Sequence, residues 1–130
     1  MTDSSATKMV NISGPQVTKN FSYKELMCKC GCGKLEMDTN LLNKLQLLRD
    51  LCGFPLVITS GYRCPQHPEE AKKEQPGMHS KGLAVDIAKP QGERAYTILK
   101  LAIQVGFTGI GVSNKFIHLD IRDTPAVWGY

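Results

Sequence analysis

The chain has 130 residues, of which 42% are hydrophobic and 22% are charged, and its formal net charge is +4. This composition predicts one globular domain with a substantial core, and no apolar run approaches the roughly 20 residues that span a membrane. The modest positive charge favours contact with an anionic surface, but no basic run or interleaved aromatic stripe indicates a nucleic-acid site. We therefore expect a monomer that neither binds nucleic acid nor inserts stably into a membrane.

The N-terminal residues are polar and irregular. Residues 1–20 are rich in Ser, Thr and Asn and contain a Gly14-Pro15 break, which predicts a flexible N-terminal arm before a single domain over residues 21–130. The arm lacks the apolar core that a secretory signal needs. We therefore expect synthesis in the cytoplasm without a signal peptide.

A short helix and a cysteine-rich loop follow the arm. Ser22 and Glu25 have the spacing of a capping box, which predicts a helix start, and the glycine-rich CKCGCGK indicates a loop. Five cysteines cannot all pair within one chain, and free thiols are expected in a reducing compartment. The cluster of Cys28, Cys30 and Cys32 is dense enough for a second metal site, although structural zinc sites usually take cysteines from separate C-x-x-C-like knuckles.

Hydrophobic periodicity predicts amphipathic helices and several short strands. The helices are expected at Thr39–Leu51 and Glu93–Val105, with one further turn at Glu69–Lys73. The strands are expected at Leu56–Thr59, Leu83–Ile87, Gly109–Val112 and Phe116–Ile121. Without regular βαβ alternation, these elements predict an α+β fold in which helices pack against a small antiparallel sheet.

Two of the predicted strands carry ionisable side chains on one face. In FIHLDI, strand alternation puts His118 and Asp120 opposite the aliphatic residues, and in LAVDI it does the same for Asp86. His79 precedes Asp86 by seven residues. Unpaired polar groups are costly to bury, and a metal ion would satisfy them. His79, Asp86 and His118 are ligand types that zinc accepts, and three protein ligands leave a position for water.

The same residues also have a purely structural interpretation. A single histidine in a strand is usually a satisfied core or surface residue, and the prolines and acids around His67 indicate only an exposed turn. The H-x6-D spacing followed by an H-x-D strand is what favours one zinc ion. Zinc lowers the pKa of a water molecule and polarises carbonyl groups, so hydrolysis of an amide is the expected chemistry.

Several ordered motifs carry a family resemblance. SGYRCP, HSKGLAVDI and FIHLDIR, followed by a Trp near the end, resemble the zinc D-Ala-D-Ala carboxypeptidase family of peptidoglycan peptidases, which share a fold with the hedgehog signalling domain. The resemblance extends from Phe21 to Trp128. The CKCGCG segment also resembles the start of such domains in bacteriophage proteins. The family's H-x-x-G-x-A-x-D signature is matched by His79, Gly82, Ala84 and Asp86.

The resemblance implies a hedgehog/DD-peptidase-like fold and specific residue roles. His79, Asp86 and His118 match the zinc ligands by position. Arg63 matches the arginine that holds the substrate peptide, and Ser60 belongs to the same signature. The implied substrate is the stem peptide of peptidoglycan, cut at a bond involving a D-amino acid by a carboxypeptidase or an endopeptidase. The implied setting is the bacterial cell wall, reached by a phage-type lysin after release or by a virion component.

Two positions depart from the family pattern. Gly77 stands where a serine is frequent, and Lys115 stands where many members carry an acidic general base. Asp120 is the predicted replacement base, because it shares a strand face with His118 and could accept a proton from the attacking water. The alternative is that Asp120 orients His118 or pairs with Arg122.

Two further interpretations of the whole chain remain. The missing acid at Lys115 favours a catalytically silent binding domain on the same zinc-containing fold. A zinc or redox module built on Cys28, Cys30 and Cys32 is the other. It predicts that Cys→Ser changes release the metal while His79→Ala does not.

Overall fold

A computed structural model describes residues 9–11, 16–72 and 77–130. Most of the predicted arm lies outside these ranges, as does Lys73 at the end of the predicted helical turn. Within the arm, Met9–Asn11 forms strand β1 and pairs antiparallel with strand β2, Glu36–Asp38. At least this part of the arm is therefore paired with the domain.

The described residues form two long helices and two short ones. In chain order they are α1 (Tyr23–Leu26), α2 (Thr39–Cys52), α3 (Pro68–Ala71) and α4 (Gly92–Val105). The capping box predicted at Ser22 is confirmed, with the side chain of Ser22 accepting from the Glu25 N–H. The Asp38 carboxylate caps α2 by accepting from the N–H groups of Asn40 and Leu41. Both long helices lie within two residues of their predicted bounds.

A five-stranded sheet forms the other layer. Its strands are β3 (Ile58–Ser60), β4 (Ala84–Ala88), β5 (Gly109–Val112), β6 (Phe116–Asp120) and β7 (Ala126–Gly129). The strand order is β3-β4-β6-β5-β7, and all neighbours are antiparallel except β5 and β7, which are parallel. The predicted α+β class is confirmed. The sequence did not predict β7, and the strand predicted at Leu56–Thr59 starts two residues and ends one residue before β3.

The hydrophobic core lies between the sheet and the two long helices. Val85 and Ile87 of β4 and Ile117 and Leu119 of β6 are fully buried in one cluster with residues of α2 and α4. The helix residues of this cluster are Leu41, Leu42, Leu45, Leu48, Ile98 and Ala102. Because side chains alternate along a strand, the intervening residues of β4 and β6 are directed to the opposite face.

Glycines of β5 leave space on that opposite face. Gly109 pairs with Asp120, and Gly111 pairs with His118. A β-carbon at Gly109 would overlap the carboxylate of Asp120, and one at Gly111 would lie 2.5 Å from Nε1 of Trp128. The side chains of Asp120 and Trp128 therefore occupy the space that a larger residue at position 109 or 111 would need.

We expect Gly109→Ala to lower the free energy of unfolding by about 1–3 kcal/mol, because the fully buried Asp120 must move to admit a methyl group. Gly129→Ala is the matched control, since the nearest atom to its added β-carbon is 3.9 Å away. That variant should change stability by no more than about 0.5 kcal/mol. Urea unfolding measures both, and equal effects would contradict the steric account.

Candidate metal centre

Three sequence-predicted residues meet at one point on the open face of the sheet. Asp86 of β4 stands directly opposite His118 of β6 in the antiparallel register, so both side chains project from the same face. His79 lies in the turn that leads into β4, where the Gly82 N–H donates to the carbonyl of His79. The H-x6-D spacing thus returns His79 to the strand that carries Asp86.

The ligand atoms converge around one carboxylate oxygen. Oδ1 of Asp86 lies 3.2 Å from Nε2 of His79 and 3.1 Å from Nδ1 of His118. One ligand atom from each of the three residues lies within 4.8 Å of the other two. The three side chains are only 6–8% exposed. The structure therefore assembles the set of side chains that the sequence suggested.

The far nitrogen of each histidine ring is bonded to an acceptor. Nδ1 of His79 lies 2.8 Å from the carbonyl oxygen of Gly61, and Nε2 of His118 lies 2.7 Å from Oδ2 of Asp120. A carbonyl or carboxylate can only accept, so these far nitrogens carry the protons. The near nitrogens, Nε2 of His79 and Nδ1 of His118, face Asp86, and their lone pairs become available to a metal when they give up any proton that they share with its carboxylate.

The electrostatics of the site favour a positive charge at this point. Burial raises the pKa of the Asp86 carboxyl, but hydrogen bonds with His118 and His79 hold it well below its usual range. Burial lowers the pKa of His118, and hydrogen bonds with Asp120 and Asp86 outweigh that effect and raise it. Two imidazoles and a carboxylate held in this way are a donor set that fits zinc.

Asp120 lies on the side of His118 that faces away from Asp86. The Asp120 side chain is fully buried. Besides its hydrogen bond with the His118 ring, it accepts hydrogen bonds from Arg122, with Nη2 of Arg122 2.6 Å from Oδ2 and Nε 2.9 Å from Oδ1. Burial raises its pKa, but the hydrogen bonds from His118 and Arg122 hold it well below the usual range. This placement favours the orienting role of Asp120 over the role of general base.

Arg63 is held beside the metal centre by three polar groups. Its Nε lies 3.1 Å from Oγ of Ser60, its Nη1 lies 3.5 Å from Oε2 of Glu70, and its Nη2 lies 3.4 Å from Oδ2 of Asp86. Glu70, which has no recognisable motif in the sequence, is 96% buried and also accepts a hydrogen bond from the Gly77 N–H. The local sequence PEE resembles any acidic helix start, so nothing in it indicated this role.

The metal centre opens into a cleft of about 300 Å³. Trp128 forms one wall, with its ring 5.4 Å from that of His118 and under the guanidinium of Arg122 at 4.4 Å. The cleft thus combines two guanidinium groups with aromatic surface, which suits a ligand bearing carbonyl or carboxylate groups. The lining residues are Arg63, Met78, His79, Asp86, Phe116, His118, Arg122, Trp128 and Tyr130.

Lys115 and His67, neither of which is predicted from the sequence as a site residue, do not line the cleft. Lys115 is exposed in the turn between β5 and β6, where its N–H donates to Oγ of Ser113. His67 caps α3, with Nδ1 accepting from the Glu69 N–H. His67 is therefore a capping residue, consistent with the structural role that the sequence gave it.

Comparison with known proteins agrees with this site. A family model described as Peptidase M15 matches residues 19–120, a range that contains all three candidate ligands, Ser60 and Arg63. A search of curated proteins gives no match. In the described part of the chain, none of the helices has the length and apolar character needed to cross a membrane.

We expect His79→Ala and His118→Ala each to lower the zinc content by about one ion per chain after dialysis, because each removes one of three protein ligands. His67→Ala should retain the wild-type content, since His67 only caps a helix. Elemental analysis with circular dichroism as a folding check measures this. Wild-type zinc content in both folded variants would contradict the assignment of the ligands.

Proposed function

The chain belongs to the peptidase M15 family, and from this premise we propose that it hydrolyses a peptide bond beside a D-amino acid in the stem peptides of bacterial peptidoglycan. The family gives the coarse activity, that of a zinc-dependent peptidase acting on peptidoglycan. The observation that carries the proposal is the convergence of His79, Asp86 and His118 at a cleft lined by two guanidinium groups.

The residues of the metal centre have distinct tasks. Nε2 of His79, the carboxylate of Asp86 and Nδ1 of His118 would hold the zinc ion. Bound zinc supplies a Lewis acid for the scissile carbonyl and lowers the pKa of a water molecule to about 7. The carbonyl of Gly61 and the carboxylate of Asp120 keep both rings in the tautomer and orientation that ligation needs.

Arg63 is the proposed substrate-binding residue. Ser60 and Glu70 fix its side chain, which limits the conformational entropy lost when a peptide binds. Its guanidinium borders the cleft and could donate to a terminal carboxylate or to a main-chain carbonyl. The first would suit a carboxypeptidase and the second an endopeptidase, so the released product distinguishes them.

A role as a phage-type cell-wall lysin is also part of the proposal. Its support is the net charge of +4, which favours encounter with an anionic wall, together with the resemblance of CKCGCG to the start of bacteriophage peptidase domains.

A catalytically silent zinc-containing binding domain is the second candidate. The observation that favours it is the lack of an evident base. Asp86 has the only carboxylate side chain among the described cleft-lining residues, and Asp120 is engaged behind the His118 ring. Such a domain would bind stem peptides through the same cleft without releasing a product.

Digestion of purified peptidoglycan, followed by mass spectrometry, tests the proposed activity. The zinc-loaded wild type should release D-alanine or cut cross-linked stem peptides, while a chelator should abolish this and added zinc should restore it. The folded His118→Ala variant should be inactive, because it lacks a ligand. Binding of stem peptides without any release of product would favour the silent domain and refute the peptidase.

Asp120→Ala separates a positioning role from that of a base. We expect zinc affinity to fall about 10–100-fold, and activity to return when zinc is raised to full occupancy. Asp120→Asn should lose less affinity, since its amide oxygen can still accept from Nε2 of His118. Asp123→Asn, on an exposed acid three residues away, is the control. A loss of about 10²–10⁴-fold that persists at full zinc occupancy would instead identify Asp120 as the base.

A further inference from the structure

Four of the five cysteines converge on one side of the domain. Cys28, Cys30 and Cys32 come from the loop between α1 and β2, and Cys64 follows β3. The sulfur atoms all lie within 4.8 Å of one another, and Sγ of Cys64 is 3.5 Å from that of Cys30 and 3.6 Å from that of Cys32. The sequence suggested the first three residues but not Cys64, which is more than thirty residues further along the chain.

We propose that these four cysteines bind a second zinc ion, in a closed structural site separate from the metal centre at Asp86. A tetrahedron with Zn–S bonds of about 2.3 Å places its sulfur atoms about 3.8 Å apart, close to the separations observed here. Four thiolates fill the coordination shell, which leaves no position for water. Such a site stabilises the fold and takes no part in the chemistry of hydrolysis.

The loop is shaped to direct alternate residues to one point. Gly31 and Gly33 have φ values of 109° and 68°, a left-handed conformation that residues with a β-carbon rarely adopt. The Cys28 N–H donates to the carbonyl of Lys34 at 2.7 Å and closes the loop. This backbone path explains how C-x-C-x-C, which lacks the usual knuckle spacing, can supply three ligands.

Backbone N–H groups also point at the sulfur atoms. The Cys64 N–H lies 3.3 Å from Sγ of Cys28, and the Lys34 N–H lies 3.4 Å from Sγ of Cys32. Hydrogen bonds to sulfur stabilise the thiolate, which is the form that binds zinc. All four cysteines are free thiols, so none of the ligands is consumed in a disulfide.

The position of the cluster indicates what the ion would stabilise. Cys64 directly follows Arg63, and the Tyr62 N–H donates to the carbonyl of Leu26 at 2.9 Å. The same segment supplies the Gly61 carbonyl that orients His79. A zinc ion bound by the cluster would therefore fasten the loop after α1 to the segment that carries both a substrate-binding group and an orienting group of the metal centre.

Zinc stoichiometry of the reduced full-length protein tests this proposal. The wild type should hold about two zinc ions per chain, and both His79→Ala and the double variant Cys30→Ser/Cys32→Ser about one. Cys52→Ser is the matched control, because Cys52 is a free cysteine outside the cluster, and it should retain both ions. The double variant should also unfold at a lower temperature than Cys52→Ser.

Cobalt substitution of the wild type provides a readout that does not need a folded cysteine variant. The cobalt-loaded protein should show thiolate-to-cobalt charge-transfer absorption in the near ultraviolet, and His79→Ala should retain this band. Equal zinc contents in the reduced wild type and the folded double cysteine variant, or a cobalt spectrum without that band, would overturn the proposal. Neither measurement depends on hydrolysis, so the result stands whether or not the protein cuts peptidoglycan.

Discussion

The antiparallel register between β4 and β6 is the constraint on which the metal centre depends. It places Asp86 opposite His118, so that the carboxylate meets Nδ1 of the ring between the two strands. A slip of one residue would direct Asp86 toward the helices and an aliphatic residue toward the cleft. The buried pairs Val85–Leu119 and Ile87–Ile117 in the core maintain this register. Core packing and metal binding therefore stabilise the same strand pairing.

Contacts with surrounding residues fix the positions of the two histidine rings of the metal centre. Gly109 leaves the volume that Asp120 occupies, and Asp120 holds the ring of His118. On the other side, the segment after β3 is attached to α1 through a backbone hydrogen bond and presents the Gly61 carbonyl to His79. The two histidine ligands thus have separate supports, Asp120 on β6 and Gly61 in the segment after β3, and the cysteine cluster adjoins the second. This arrangement preorganises the donor atoms before a metal arrives.

The sequence predicted the parts of the fold that depend on local pattern. Both long helices and the two strands with ligands have a hydrophobic pattern strong enough to be located, and strand alternation put His118 and Asp120 on one face. The alternation of side chains along a strand could not show which ring nitrogen of His118 faces Asp120. That depends on the side-chain rotamer and on the space at Gly109, which is provided by a neighbouring strand.

Features formed by distant residues gave no local signal. Strand β7 is mostly exposed and pairs in parallel with β5, so it lacks the alternation that marks a strand. Glu70 and Cys64 acquire their roles only when their loop folds back on the sheet and on the loop after α1. Family resemblance supplied the order of the motifs, but not these contacts.

Anomalous diffraction at the zinc edge, from crystals of the wild-type protein, tests the central claim most directly. The account predicts a zinc peak about 2.0–2.2 Å from Nε2 of His79, a carboxylate oxygen of Asp86 and Nδ1 of His118. Asp120 should remain on the far nitrogen of the His118 ring. The absence of zinc among these three residues, or zinc bound to Nε2 of His118 with Asp120 as a ligand, would contradict it.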